Sequence, residues 1–242
     1  MPPTVPSYWV ASRSHRYSLL FAMPLLIAYE LLELVAPIRS GGGVIRNGAD
    51  VLLTALFTAV LGPRGPLVFM AVVITWAFVL IRNDRSVGPL RWSRFLMMCG
   101  EAVILASVFG AVVGLATVQL LGPVHALAAG GGLTGTPLAR LTLSLGAGLY
   151  EELLFRVVLV AMLSHAFRFA GLSRLAAGIA ATVTGALVFS AFHYLGPLGE
   201  PLRLESFVFR ALAGVAFSAL YLTRGFGITA WTHALYDVLV TV

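Results

Sequence analysis

The sequence predicts an all-α polytopic membrane bundle of seven transmembrane helices, or eight if one short apolar segment also crosses. Three observations carry that expectation. Of the 242 residues, 59% are hydrophobic and 11% charged, where soluble domains carry about 25% charged residues; mean hydropathy is +0.94. The apolar residues fall mostly in runs close to the roughly 20 that cross a bilayer as a helix. The basic residues, all sixteen of them arginine, gather mostly at the ends of those runs, where they act as topology signals.

Taken in order, residues 1–16 form a polar lead-in with Arg13 and Arg16. Its prolines, and the absence of a small-residue cleavage site after the first apolar run, do not suit a removable signal peptide, so 17–35 is expected to remain as the first span. Glu30 and Glu33 fall in its last turns, where an interfacial position accounts for them. A loop over 37–50 carries Gly41, Gly42, Gly43, Arg39 and Arg46. The apolar segment 51–61 is too short to cross and reads as a surface or re-entrant helix, or as a short eighth span. Span 66–81 is followed by Arg82, Arg85, Arg91 and Arg94. Span 95–121 contains Gly110 and Gly114, a spacing that lets a neighbouring helix approach closely. The loop 122–136 has Gly130, Gly131 and Gly132 and no charge. Spans follow at about 138–164, 175–195, 204–222 and 227–242.

Arginine-rich short loops stay in the cytoplasm. The loops with Arg82 to Arg94, with Arg168 and Arg174, and with Arg224 alternate with the arginine-poor loops 122–136 and 196–203. The expected placement is multi-pass in the inner cell membrane, N-terminus inside and C-terminus outside, with the lipid bilayer as one partner. An isoelectric point near 10.1 does not indicate nucleic acid, because the arginines form no patch. A single cysteine, Cys99, excludes an internal disulfide and a cysteine metal cluster.

Three late spans hold unusual polar groups. Glu151, Glu152 and Arg156 lie mid-span, where an ionisable group costs at least about 2.5–3.5 kcal/mol on insertion scales and is normally turned inward and partnered. Glu152 and Arg156, four residues apart, meet on one helix face with the acid on the N-terminal side. Glu151 is left to find a partner elsewhere in the fold, or to hold a proton. The next span ends in Phe189 and His193, and the last carries His233 and Asp237, again four apart. Each group alone is ordinary packing. Together, on three spans, they are costly enough to bury that a site is expected.

These motifs, EExxxR at Glu151, Glu152 and Arg156, FxxxH ending at His193, and HxxxD at His233 and Asp237, resemble the CPBP intramembrane proteases. That family includes the CAAX prenyl endopeptidase of the Rce type and bacterial relatives once called abortive-infection proteins. The resemblance covers 137–242, a catalytic core, while 1–136 matches only as N-terminal spans and loops of the same structural domain. It implies a glutamic-type endopeptidase that cleaves a membrane-associated or exported peptide or protein near its terminus. It also implies that Glu151 is the catalytic base, Glu152 and Arg156 its supporting pair, and His193 and His233 catalytic histidines. The family's last motif commonly ends in asparagine. Asp237 stands there instead and, when ionised, has no amide hydrogen to give an oxyanion.

The residues read the same way on their own chemistry. A desolvated carboxylate becomes a usable general base for water, which suits Glu151. His193 is placed to share that water or to orient the carbonyl. His233, with its tautomer set by a partner such as Asp237, is placed to donate to the oxyanion. The same donors would also suit zinc, but there is no HExxH and no histidine pair at ligand spacing. A metal-free, cofactor-free mechanism is therefore expected. Two other classes remain, a proton-coupled transporter and a non-proteolytic membrane scaffold or immunity factor. The first lacks a visible inverted repeat; the second does not need a complete polar set.

Overall fold

A computed structural model of the chain describes residues 6–40, 43–122, 136–196 and 199–241. In order, these are α1 (Tyr8–Ser12), α2 (His15–Val35), β1 (Ile38–Ser40), β2 (Gly43–Ile45), α3 (Gly48–Leu61), α4 (Gly65–Asn83) and α5 (Trp92–Leu121). There follow α6 (Pro137–Gly146), a π-helical segment (Ala147–Leu159), α7 (Val160–Phe169), α8 (Arg174–Phe192), α9 (Leu204–Arg224) and α10 (Phe226–Thr241). The bundle is helical as expected, with one addition: β1 and β2 pair antiparallel in the loop before α3, Ile38 opposite Ile45. The glycine run of the 122–136 loop lies outside the described residues.

Among the described residues, five helical stretches are long and apolar enough to cross a membrane: His15–Val35, Gly48–Asn83, Trp92–Leu121, Arg174–Phe192 and Leu204–Arg224. The two other expected spans are present as helices of different form. The one near 138–164 is divided into α6, the π segment and α7, and the last, α10, has 16 residues. The short apolar segment becomes α3, which starts inside the bundle, with Ala49, Asp50 and Leu53 buried, and ends on its surface at Val60 and Leu61. The chain then breaks at Gly62 (φ +64°), and Gly65 brings α4 back against α3, where a Cβ would lie 2.3 Å from the Thr58 backbone nitrogen.

Caps from the sequence start the helices. Ser14 accepts from the Tyr17 N–H, Asn47 from Ala49, Thr136 from Ala139 and Ser173 from Ala176. Each satisfies an N–H that the first turn leaves open.

The helix at the centre is α10. Ile228, Thr229, Ala230, Thr232 and Ala234 are fully buried, and three neighbours reach it through glycines. A Cβ at Gly148 would lie 2.4 Å from the Ala230 carbonyl and 2.6 Å from the Ala234 Cβ; one at Gly227 would lie 2.2 Å from the Ser18 carbonyl. One at Gly110 would meet the Tyr236 ring at 2.9 Å, while Gly114 faces open space. Half of the Gly110/Gly114 spacing is thus a helix contact. Trp231 adds a bond from its indole N–H to the Phe21 carbonyl, 2.7 Å.

An ion pair and a set of hydrogen bonds mark the end of the bundle where α2 begins and α4 and α9 end. Arg224 pairs with Glu101 at 2.5 Å, bonds to the Ser12 hydroxyl at 2.8 Å and covers the Trp9 ring at 4.2 Å; Tyr8 donates to the same Glu101. In the loop after α4, Asp84 accepts from the Arg16 backbone N–H, 3.1 Å. Burial alone would raise the Asp84 carboxyl, but hydrogen bonds from Ser86 and Arg16 hold it below the usual carboxylate range.

The packing of α10 gives a paired test. Gly148→Ala puts a methyl into backbone and is expected to destabilise by about 1–3 kcal/mol, read as a lower melting temperature in detergent. Gly114→Ala meets nothing and should be neutral or stabilising. Equal melting of the two variants would contradict this packing.

Candidate active site

The site is assembled by four parts of the chain: the π segment, the C-terminal end of α8, the middle of α10 and the residue that starts α3. The π segment bonds at a five-residue spacing; the Val160 N–H, for example, reaches the Phe155 carbonyl. Such stretches are frequent at functional sites. This one carries Glu151, Glu152 and Arg156, all buried.

Glu152 and Arg156 pair as expected, Oε2 to Nε, 3.2 Å, both side chains essentially sealed from solvent. Arg156 also reaches the Gly214 carbonyl at 3.5 Å, and its guanidinium lies 4.4 Å from the Phe189 ring centre and 5.5 Å from that of Phe217. Aromatic faces favour a desolvated guanidinium electrostatically. The other oxygen of Glu152 takes His233: Oε1 lies 2.6 Å from Nδ1. Asp237 is the more distant neighbour, its Oδ2 3.7 Å from Nε2. The expectation that Asp237 sets the His233 tautomer is corrected here. Pairing four residues apart within α10 loses to a partner across the helix contact, because Gly148 lets the π segment close on α10. Phe217 fixes the imidazole plane by stacking on it at 4.3 Å.

His193 caps α8, one residue beyond Phe192. Its Nδ1 is 2.9 Å from the Phe189 carbonyl, which makes Nδ1 the protonated nitrogen and leaves Nε2 as an acceptor. The Phe189 ring meets the imidazole edge to face at 5.0 Å.

Glu151 takes no part in the Arg156 pair. Its Oε1 accepts from the side-chain amide of Asn47, 3.0 Å, and His193, His233 and Arg156 lie within electrostatic reach of it. The five chemical candidates of the late spans are thus brought together, with Arg156 behind them. Sequence reasoning missed Asn47. Its signal was an asparagine directly before an apolar helical run, a cap signature, with nothing to say that the cap faces Glu151. Glu30 was also under-read. It pairs with Arg46 at 3.0 Å and accepts from the Tyr150 hydroxyl at 2.5 Å, so it holds the residue next to Glu151. Glu33, its neighbour on α2, is buried.

A helical membrane bundle with buried carboxylates, an arginine and a histidine at its centre is the class that this fold and site define. Residues 133–239 match the family described as type II CAAX prenyl endopeptidase Rce1-like, and this match supports placing the C-terminal region with the CPBP family of CAAX-type proteases. No curated protein and no solved structure matches the chain. The match spans the π segment, α8, α9 and nearly all of α10, and so every late-span residue of the site. Asn47 and Glu30 lie outside it.

The ion pair predicts a stability effect separable from catalysis. Arg156→Ala leaves Glu152 buried beside His233 alone, and breaking a buried pair from one side costs about 3–5 kcal/mol. Lower yield and a lower melting temperature in detergent are expected. Arg156→Met combined with Glu152→Gln should recover part of that loss, since no charge is stranded. A single variant as stable as the parent would disprove the pairing.

Proposed function

We propose that the protein is a glutamic-type intramembrane endopeptidase in which Glu151 activates the attacking water. The carrying observation is the separation of the two glutamates: Arg156 and His233 take Glu152, and Glu151 stays free of the guanidinium. Water gives a proton to Glu151 as its oxygen attacks the scissile carbonyl. His193, through Nε2, accepts from the same water and orients it. The oxyanion is met by His233 in its protonated form, whose Nδ1–H is engaged by Glu152 and whose Nε2–H is free to donate. Collapse breaks the C–N bond, and Glu151 returns the proton to the departing amine. Asp237 flanks the His233 imidazolium and supports its charge, a role open to an aspartate as it is not to an asparagine.

The mechanism proposed needs no metal. Each histidine has its Nδ1 held, by Glu152 and by the Phe189 carbonyl, which fixes the ring for its proposed role. Among the described residues, no three histidine, cysteine, aspartate or glutamate side chains converge as a cation site. The substrate class proposed is a membrane-anchored peptide or protein cut near its terminus, with prenylated CAAX-type chains the first to try, because that is what the family's description names.

Purified protein in liposomes, given a farnesylated CAAX peptide and its unprenylated counterpart with a strong chelator present, should release the C-terminal fragment by mass spectrometry. Glu151→Gln should fold, melt like the parent and release none. Full turnover by that variant would overturn the assignment, and loss of parent activity in chelator, restored by zinc, would overturn the metal-free mechanism.

The site is proposed to open toward the outer side of the membrane. His193 sits at the α8 terminus that leads into the arginine-poor 196–203 loop, opposite the Arg174 end. Leu195 and Arg174 are both exposed. With single cysteines at Leu195 and at Arg174 in a Cys99→Ser background, a membrane-impermeant thiol reagent on intact cells should label position 195 and spare 174. The reverse pattern would turn the site to the cytoplasm.

A further inference from the structure

The general base is held from the half of the chain that lies outside the family match. We propose that Asn47 is the positioning residue for Glu151: its side-chain amide fixes one carboxylate oxygen and leaves the other for the attacking water. The inference rests on the reading of Glu151 as the base.

Asn47 is 7% exposed, and the bonds it makes allow one orientation only. Its Oδ1 accepts the Ala49 N–H at 2.9 Å, and its Nδ2 lies 3.0 Å from Glu151 Oε1. A backbone N–H can be met only by the oxygen of the amide, and a carboxylate only by its nitrogen, so a flip would break both bonds. The backbone of Asn47 is fixed as well. Its N–H donates to the Tyr29 hydroxyl at 3.3 Å, that hydroxyl donates to Asp50 at 2.9 Å, and Arg46 closes on Asp50 at 2.5 Å and on Glu30 at 3.0 Å. Glu30 in turn accepts from Tyr150, the residue before Glu151. The donor to the base and the base's own neighbour are therefore tied to one partly buried polar network. Partly buried charge networks of this kind specify geometry when every member is met.

The π-helical side has made room for this contact. A Cβ at Gly146 would lie 2.9 Å from the Asn47 Cβ and 2.5 Å from the Tyr29 ring. Gly146 is thus what lets Asn47 come within reach of Glu151. A residue that only capped α3 would need the oxygen alone, and aspartate or serine serves a cap equally well. The nitrogen is the part that only a positioning role uses.

Two substitutions separate the roles. Asn47→Ser keeps a cap oxygen but is too short to reach Glu151. Asn47→Asp keeps the cap and puts a carboxyl against the base, which already faces His193 on α8, His233 and Asp237 on α10, and Arg156 on its own segment. Both variants should melt within a few degrees of the parent. In the serine variant kcat should fall roughly ten- to hundredfold, the scale of a hydrogen bond to a charged group, with KM little changed. In the aspartate variant the acid limb of kcat/KM should move to higher pH, because two adjacent carboxyls do not ionise together. Parent-like kcat in the serine variant and a parent-like acid limb in the aspartate variant would overturn the proposal. So would losses of activity that track lost melting temperature with the limb unmoved. Glu151→Gln in the same assay keeps the two readings apart: if it turns over, the base assignment fails, and if it is inactive while both Asn47 variants behave as the parent, only this inference fails.

Discussion

Burial of the Glu152 carboxylate is the constraint on which the rest of the site depends. An ionised carboxylate removed from water needs charge and hydrogen bonds to match it, and Glu152 has both, Arg156 on one oxygen and His233 on the other. Arg156 in turn lies between Phe189 and Phe217, and Phe217 stacks on His233. This closed unit joins the π segment, α8, α9 and α10. Because Glu152 satisfies the cation, Glu151 is free to face the opposite side, toward Asn47. Two adjacent acids thus have different partners for a geometric reason: successive side chains on a helical segment leave it in different directions.

The parts of this arrangement that were legible in the sequence are those that depend on spacing within one helix. The Glu152–Arg156 pair followed from a four-residue interval and held. The His233–Asp237 pair followed from the same interval and did not hold as a hydrogen bond, because the decisive contact is between helices. Nothing local to HxxxD says that Gly148 brings the π segment against Ala230 and Ala234 and so delivers Glu152 to Nδ1. The π segment itself was invisible for a similar reason. Its apolar residues fit an ordinary helix, and the five-residue bonding is selected by the tertiary contacts.

Asn47 shows the limit more sharply. It lies 104 residues before Glu151, in a glycine- and arginine-bearing loop whose local chemistry announces a turn and a helix cap. Both features are real, and Ala49 confirms the cap. The second use of the same side chain depends on where α2 places Tyr29 and on the room left at Gly146. Glu30 is comparable. Its position in the last turns of an apolar helix suggests an interfacial side chain, yet Arg46 and Tyr150 turn it into an anchor.

The boundary suggested by the motifs, between 136 and 137, therefore separates what is recognisable from what is not. It does not separate the candidate site from the rest of the fold. The bond from Asn47 to Glu151 crosses it, as does that from Tyr150 to Glu30, and α10, which bears His233, is packed against Ser18 and Phe21 of the first long helix. A 16-residue helix can carry a buried histidine in this fold because longer helices surround it, so its depth is set by them and not by its own length. The early helices hold the candidate site from two directions: they seat the helix of His233, and they present the amide that meets Glu151.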